Sequence, residues 1–449
     1  MADVVSTTPA PAAEPSANET VKFDEFEQFT AYGSLYGMAI LCLIVGGYRS
    51  VLFVQRHVTK KKAIETSLST REAMKFPFTA SLVLFGLYCF FNFNKVFAYV
   101  ADYLPVKIID IVNRLNSTEV DSPVNVTEVP AHGVKALLKK ALIYMPEINK
   151  SNVMHFLLLL LCWEGCVALA AILKPFFQFF LRRLPIGDRQ PRRNVPYLIS
   201  FKSGKKEMDE GDIEDAHKDE TEYIVKIEFD SHDLICIAVC IWVGVSHLYQ
   251  RHWITNNLLG IAFSIYGIEN LHLSSFKAGT WLLAGLFVYD VFWVFGTEVM
   301  TTVAKGIDAP ILLQFPLDIY RNGWLDANKY AMLGLGDIVI PGIFVALLRR
   351  FDHRIGQKAD GKKSQKPRYY FIVTMFAYAF GLFITMGVMH YFKAAQPALL
   401  YLVPSCVLIP LIVAAIRGEA HELWNYTEEA LTEAHQNKLK EKAAEKKTQ

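Results

Sequence analysis

Apolar residues in this chain fill whole stretches, and the polar residues collect between them. About nine stretches reach the roughly 20 residues a helix needs to cross a bilayer. They cover residues 31–54, 78–102, 153–174, 233–250, 254–275, 279–298, 330–348, 369–391 and 396–416. The fourth is short, and the third runs into Lys174 and Pro175. In hydrocarbon a backbone must satisfy its own hydrogen bonds, which a helix does. The predicted fold is an all-α multi-pass membrane protein of about nine transmembrane helices. The first 30 residues lack a basic start followed by an apolar run, so no cleavable signal peptide is expected and the first span serves as anchor.

Lysine and arginine set the orientation. Asp3, Glu14, Glu19, Asp24, Glu25 and Glu27 precede the first span, opposed only by Lys22. Arg56, Lys60, Lys61, Lys62, Arg71 and Lys75 follow it. The N-terminus is therefore expected in the lumen and the first loop in the cytosol. The same sense recurs after the third span, at Arg182, Arg183, Arg189, Arg192 and Arg193, and after the seventh, from Arg349 to Lys363. An odd number of spans leaves the C-terminus cytosolic. Glycosylation sequons at Asn18, Asn116, Asn125 and Asn149 all fall on the predicted lumenal side, whereas the one at Asn425 falls on the cytosolic side.

Composition narrows the class. The chain has 449 residues, 52% of them hydrophobic, and a mean hydropathy of +0.24, which excludes an ordinary soluble enzyme. A net charge of +2 gives no support to nucleic-acid binding. All 7 cysteines lie in apolar stretches. Cys162/Cys166 and Cys236/Cys240 have helical i, i+4 spacing but no further ligand nearby, so they read as buried structural residues and no metal is expected. No loop disulfide framework is available.

The polar loop 184–232, with its acidic run at 209–215, has the composition of an unfolded cytosolic linker. Residues 1–20, rich in Ala, Pro, Ser and Thr, suit a flexible tail. Four regions follow: a lumenal flexible tail, 1–30; an N-terminal transmembrane region, 31–232, of about three spans with a lumenal loop and the cytosolic linker; a C-terminal transmembrane region, 233–416; and a cytosolic tail, 417–449. Lys446 and Lys447 stand third and fourth from the end and match the dilysine retrieval signal of endoplasmic reticulum membrane proteins.

Two carboxylates interrupt the apolar spans: Asp290 within 281–295 and Asp337 within 332–341. A charge in hydrocarbon is costly, so the pair reads as one shared functional site. Two adjacent carboxylates can hydrolyse a peptide bond. The ionised one takes a proton from water, and the protonated one donates to the carbonyl oxygen and stabilises the gem-diol. Like charges at close range cannot both ionise, so the pair shares one proton and titrates as a unit. Gly334 and Gly336 remove side chains just before Asp337, as helix packing or an extended substrate would require. Tyr289 brings a hydroxyl beside Asp290, and Pro397, Ala398 and Leu399 open the last span. Glu164, Glu269, His155, His247 and His272, in or at the ends of spans, read as interhelical or interfacial polar groups, and Glu298 as a boundary residue. Paired intramembrane carboxylates also suit a proton-coupled transporter or channel, although no internal repeat is visible. A non-proteolytic membrane chaperone, with the aspartates as docking groups, is a third reading.

The combination is more specific than its parts. Tyr289-Asp290 in one span, Gly334-Leu335-Gly336-Asp337 in the next and Pro397-Ala398-Leu399 in the last resemble the three signatures of the GxGD intramembrane aspartyl proteases. That family contains presenilins and signal peptide peptidases. The resemblance is strong over about 250–416 and looser before it. The predicted orientation is similar to the signal peptide peptidase branch and opposite to the presenilins. The resemblance implies a presenilin/signal peptide peptidase-like fold and makes 233–416 the catalytic region. It implies an intramembrane aspartyl endopeptidase with Asp290 and Asp337 catalytic, and with Tyr289, Gly334, Gly336, Pro397, Ala398 and Leu399 shaping the site, without a cofactor. The implied substrates are membrane-spanning peptides of type II orientation, notably remnant signal peptides in the endoplasmic reticulum membrane. The implied partners are the lipid bilayer, a homo-oligomer and the machinery of membrane-protein degradation. A helical substrate must unwind locally before attack, because its peptide bonds are closed by i→i−4 hydrogen bonds. Water must also reach a hydrated pocket inside the bundle.

Overall fold

The computed structural model describes residues 24–60, 64, 67–91, 150–183, 197–203, 222–229, 231–296, 310–358, 369–392 and 396–428. The sequons at Asn18, Asn116, Asn125 and Asn149, the acidic run 209–215, Glu298, Lys446 and Lys447 lie outside the described residues. Among the described residues the chain is mostly helical, with three two-stranded sheets. In chain order the elements are α1 (Glu25–Lys60), β1 (Ser67–Leu68), α2 (Thr70–Phe91), α3 (Lys150–Arg183), β2 (Tyr197–Ser203), β3 (Glu222–Phe229), α4 (Ser231–Gln250) and α5 (Trp253–Asn270). Then come β4 (His272–Leu273), α6 (Phe276–Phe295), β5 (Leu312–Pro316), α7 (Ile319–Asn322), β6 (Tyr330–Gly334), α8 (Gly336–Lys358), α9 (Tyr369–Phe392), α10 (Leu399–Ile416) and α11 (Ala420–Trp424).

Six described helices are long and apolar enough to cross a membrane: α1, α3, α4, α6, α9 and α10. The other predicted spans fall on α2, α5 and α8, which carry more polar residues. Asn256, Asn257 and Glu269 lie on α5, and Arg349, Arg350, Asp352 and Arg354 on α8. Local chemistry explains where several helices differ from the hydropathy pattern. α2 begins at Thr70, before its apolar run, because Ser69 and Glu72 form a reciprocal cap: Ser69 N donates to Glu72 Oε2 at 2.8 Å, and Glu72 N to Ser69 Oγ at 3.4 Å. α3 continues through Pro175 instead of ending there.

Three expectations are corrected. The linker 184–232 contains a β-hairpin: β2 pairs antiparallel with β3. β3 is rich in aromatic and β-branched residues and β2 carries Tyr197, Ile199 and Phe201, and the acidic stretch between them masks that local preference when the loop is read by average composition. The predicted helical span 330–348 starts as a strand, since β6 pairs antiparallel with β5 and α8 begins only at Gly336. The region 417–449 is a tail by composition, but residues 417–428 pack on the bundle, with Leu423 and Tyr426 buried.

The main core joins α1, α6, α8, α9 and α10, around Leu35, Phe276, Phe344, Leu347, Tyr378 and Leu402. α6 and α8 approach closely at Gly279, where a Cβ would meet Phe344 Cδ2 at 2.6 Å. A second cluster between α3, α4 and α5 buries Cys162, Cys166, Cys236 and Cys240 as free thiols.

The connector from α5 to α6 is held on both sides. On one side β1 pairs parallel with β4, and Ser274 N donates to Leu68 O at 3.0 Å. On the other, Glu428 N donates to Ser274 O at 2.7 Å and Phe276 N to Tyr426 O at 3.1 Å. Glu428 also accepts from Arg350 Nε of α8 at 3.0 Å and from Tyr426 Oη at 2.7 Å, while Arg350 Nη1 donates to Ser50 Oγ of α1 at 2.7 Å. At the opposite end Arg321, just beyond β5, makes a two-pronged pair with Glu27 of α1, both bonds 2.8 Å. The two pairs differ in weight. Arg321 is 44% exposed and Glu27 9%, so that pair is only partly desolvated and the arginine can be re-solvated when it is lost. Arg350 and Glu428 are 3% and 8% exposed, and removing one partner of such a pair costs about 3–5 kcal/mol.

Glu428→Ala is therefore expected to lower the melting temperature in detergent far more than Arg321→Ala. Arg350→Met with Glu428→Leu should recover much of the loss, because it leaves no buried charge unpaired. Equal effects of the two single alanine variants would remove the clasp from its structural role.

Candidate active site

Asp290 sits in the second half of α6, a helix apolar on nearly every face. It is 5% exposed. Its partner is a main-chain group: Leu399 N, at the first turn of α10, donates to Asp290 Oδ2 at 3.0 Å. The reason lies at the start of α10. The first amides of a helix have no acceptor within it, and a side chain at the N-cap usually supplies one. Here the N-cap is Ala398, which has no acceptor. Asp290 fills the role from a neighbouring helix. The positive end of the α10 dipole thus faces the carboxylate. Pro397, buried beside it, needs no amide partner, and its carbonyl accepts Leu400 N at 3.2 Å.

Asp337 is the second residue of α8, immediately after the β5–β6 hairpin. Leu335 N donates to Ile311 O at 3.1 Å, and Ile338 N and Val339 N both return to Leu335 O, so the hairpin passes directly into the helix. A Cβ on Gly334 would meet Asp337 Oδ2 at 3.2 Å, tighter than ordinary contact, so glycine leaves that carboxylate its position. At Gly336 a Cβ would meet nothing within 4 Å. Asp290 on α6 and Asp337 on α8 are carried by helices that pack on each other and on α10, whose first turn bonds Asp290.

The hairpin is fixed from α5. Asn257 Nδ2 donates to Gln314 O at 2.5 Å, its Oδ1 accepts Gln314 N at 2.8 Å, and Asn256 Nδ2 donates to Leu312 O at 2.7 Å. These bonds close the outer edge of β5. The bonds Leu335 N to Ile311 O and Leu317 N to Lys329 O fix the ladder, so Leu333 and Ala331 bond to β5 while Tyr330, Met332 and Gly334 turn their main-chain groups away from it. Among the described residues no strand pairs with that side of β6. Met332, on this edge, is 54% exposed.

Other predicted residues lie to the side. The Tyr289 ring packs 6.4 Å from that of Trp293, in a cluster with Leu84 and Leu87 of α2, so it lines the flank of α6. Glu269 pairs with Arg49 at 2.5 Å, His247 Nδ1 lies 3.1 Å from Thr255 Oγ1, and Glu164 and His155 are exposed. Among the described residues no group of three or more His, Cys, Asp or Glu side chains could hold a metal ion. Three contributors escape the sequence reading: the two asparagines of α5, and Tyr378 of α9, whose hydroxyl donates to the Asp337 carbonyl at 3.2 Å. The adjacent polar pair Asn256-Asn257 inside an apolar span is the available signal. Tyr378 gives none, because an aromatic residue in an aromatic-rich span is ordinary by pattern.

Comparison with known proteins supplies the family. Residues 59–430 match the family model described as signal peptide peptidase. The chain is 52% identical over 451 residues to Intramembrane protease 2 of Caenorhabditis elegans, covering 95% of this chain and 96% of that one. It is 39% identical to the Signal peptide peptidase of Homo sapiens over 401 residues, 89% of this chain and 83% of the human one. It is also 39% identical to the Signal peptide peptidase of Mus musculus over 399 residues, with the same coverage. A buried aspartate on one helix, a glycine-flanked aspartate on the next and a helix start bonded to the first therefore stand in a chain that belongs to the signal peptide peptidase family of intramembrane aspartic proteases.

Proposed function

We propose that Asp290 and Asp337 form the catalytic dyad, and that it cleaves type II-oriented transmembrane segments, notably remnant signal peptides in the endoplasmic reticulum membrane. The observation that carries this is the bond from the first amide of α10 to buried Asp290, on a helix that packs against the helix bearing Asp337. With one proton between them, the ionised carboxylate takes a proton from water while the other donates its proton to the substrate carbonyl. The resulting gem-diol collapses as a proton passes to the amide nitrogen and the C–N bond breaks. Both aspartates return to the shared-proton state. In this reading nine crossings place the N-terminus in the lumen and the C-terminus in the cytosol, and the alternation of basic loops supports that orientation.

The free edge of β6 gives the substrate a binding mode. A segment unwound from its helix exposes main-chain groups, which are costly to leave unpaired within the bilayer. The outward groups of Tyr330, Met332 and Gly334 provide them, and the edge ends at the turn that leads to Asp337. Addition of an extended peptide to this edge would bring the scissile bond to the dyad. The same constraint explains a strand at this depth: irregular backbone is tolerated there where it lines a hydrated cavity.

Purified protein in detergent should cleave a signal-peptide-like type II span, and Asp290→Asn and Asp337→Asn should each lower the rate by roughly 10²–10⁴-fold or more. Equal cleavage by all three proteins would sink the dyad and revive the transport and chaperone readings. Cleavage by the wild type should follow a bell-shaped pH profile, since only the singly protonated pair does both tasks; a profile with one limb would argue for a single essential carboxyl. Met332→Pro removes an outward N–H that the β5–β6 ladder does not use. It should raise KM by roughly two- to tenfold, the weight of about one hydrogen bond, whereas Met332→Ala should leave KM nearly unchanged. An unchanged KM in the proline variant would exclude strand addition at this edge.

A further inference from the structure

The first turn of α8 contains a defect. Pro341 lies within the helix, and proline has no N–H to give the carbonyl four residues before it. That carbonyl belongs to Asp337. A buried carbonyl without a donor is unfavourable, and the proline ring also pushes it away from the helix axis. From α9, Tyr378 Oη donates to the Asp337 carbonyl at 3.2 Å. Tyr378 is fully buried in the main core, at 0% exposure. Phenylalanine would fill the same volume, so packing alone does not account for the hydroxyl.

We propose that Tyr378 is a positioning residue, whose hydroxyl replaces the N–H missing at Pro341 and fixes the backbone of Asp337 so that its carboxyl meets Asp290. The inference rests on the dyad proposed above. Proline frees the carbonyl of the aspartate-bearing residue, and a neighbouring helix takes hold of it. The first turn of α8 is then anchored from two directions, by the β5–β6 hairpin before Asp337 and by α9 beside it. Without the hydroxyl the carbonyl would rotate toward another donor and carry the Asp337 Cα with it.

The test is a double-mutant cycle on the full-length protein, with cleavage of a type II span measured for the wild type, Tyr378→Phe, Pro341→Ala and the double variant. Tyr378→Phe should lower kcat by about tenfold with KM and melting temperature little changed, the signature of a displaced catalytic group. Pro341→Ala restores a main-chain N–H that can take the Asp337 carbonyl, so adding Tyr378→Phe in that background should have no further effect. Wild-type kcat in Tyr378→Phe, or the same loss in both backgrounds, would overturn the proposal. Should Pro341→Ala be inactive by itself, a peptide hydroxyethylene isostere serves instead: it should bind Tyr378→Phe about tenfold more weakly, in step with kcat, and unchanged affinity would overturn the proposal. Asp337→Asn is run in parallel. Cleavage by that variant would count against the dyad, whereas an inactive Asp337→Asn beside a fully active Tyr378→Phe would count against the positioning role alone.

Discussion

The hydrogen bond from Leu399 N to Asp290 is the contact on which the site depends. Each group solves the other's problem. A carboxylate inside an apolar helix needs a donor, and the first amides of a helix that starts on alanine need an acceptor. Because the two are 109 positions apart in sequence, satisfying them joins α6 to α10 and decides where both helices can sit. The Pro-Ala-Leu signature then has a local logic. Proline needs no amide partner, alanine adds no competing cap, and leucine offers a free N–H.

A different device supports Asp337. Its helix begins immediately after a strand, and that strand belongs to a hairpin held by Asn256 and Asn257 from α5. The asparagines occupy the outer edge of β5, and among the described residues no strand pairs with the outer edge of β6. One side of the hairpin is therefore held by α5. Gly334 closes the hairpin just before the helix, where a side chain would crowd the Asp337 carboxyl. The family assignment gives this geometry its chemical class.

The two ends of the bundle are held unequally. Around the start of α6, the first loop, the α5–α6 connector and the segment after α10 form a hydrogen-bonded cluster closed by the buried Arg350–Glu428 pair. At the other end the Glu27–Arg321 pair is partly exposed to solvent and correspondingly weaker. The helix that carries Asp290 is thus fixed at its base, and the hairpin that leads to Asp337 is tethered more lightly at its tip.

The hydropathy pattern and three short motifs by themselves determined the membrane class, most of the helices and the family. These are properties of local composition, set by the length of a bilayer and the cost of a charge within it. Tertiary structure decided what local pattern cannot encode. Residues 330–334 are apolar and could continue a helix; pairing with β5 makes them a strand. The strands β2 and β3 are hidden in a loop when it is read by its average, and the segment after Ile416 reads as a tail because its clasp residues bond to positions far away in sequence. Leu399 is visible in a motif, but that its amide rather than its side chain meets Asp290 is not. Tyr378 is invisible until α9 lies against α8, because its significance depends on a carbonyl left without a donor by a proline in another helix. Hydrophobicity is written residue by residue, whereas hydrogen-bond satisfaction in a buried site belongs to pairs that only folding brings within reach.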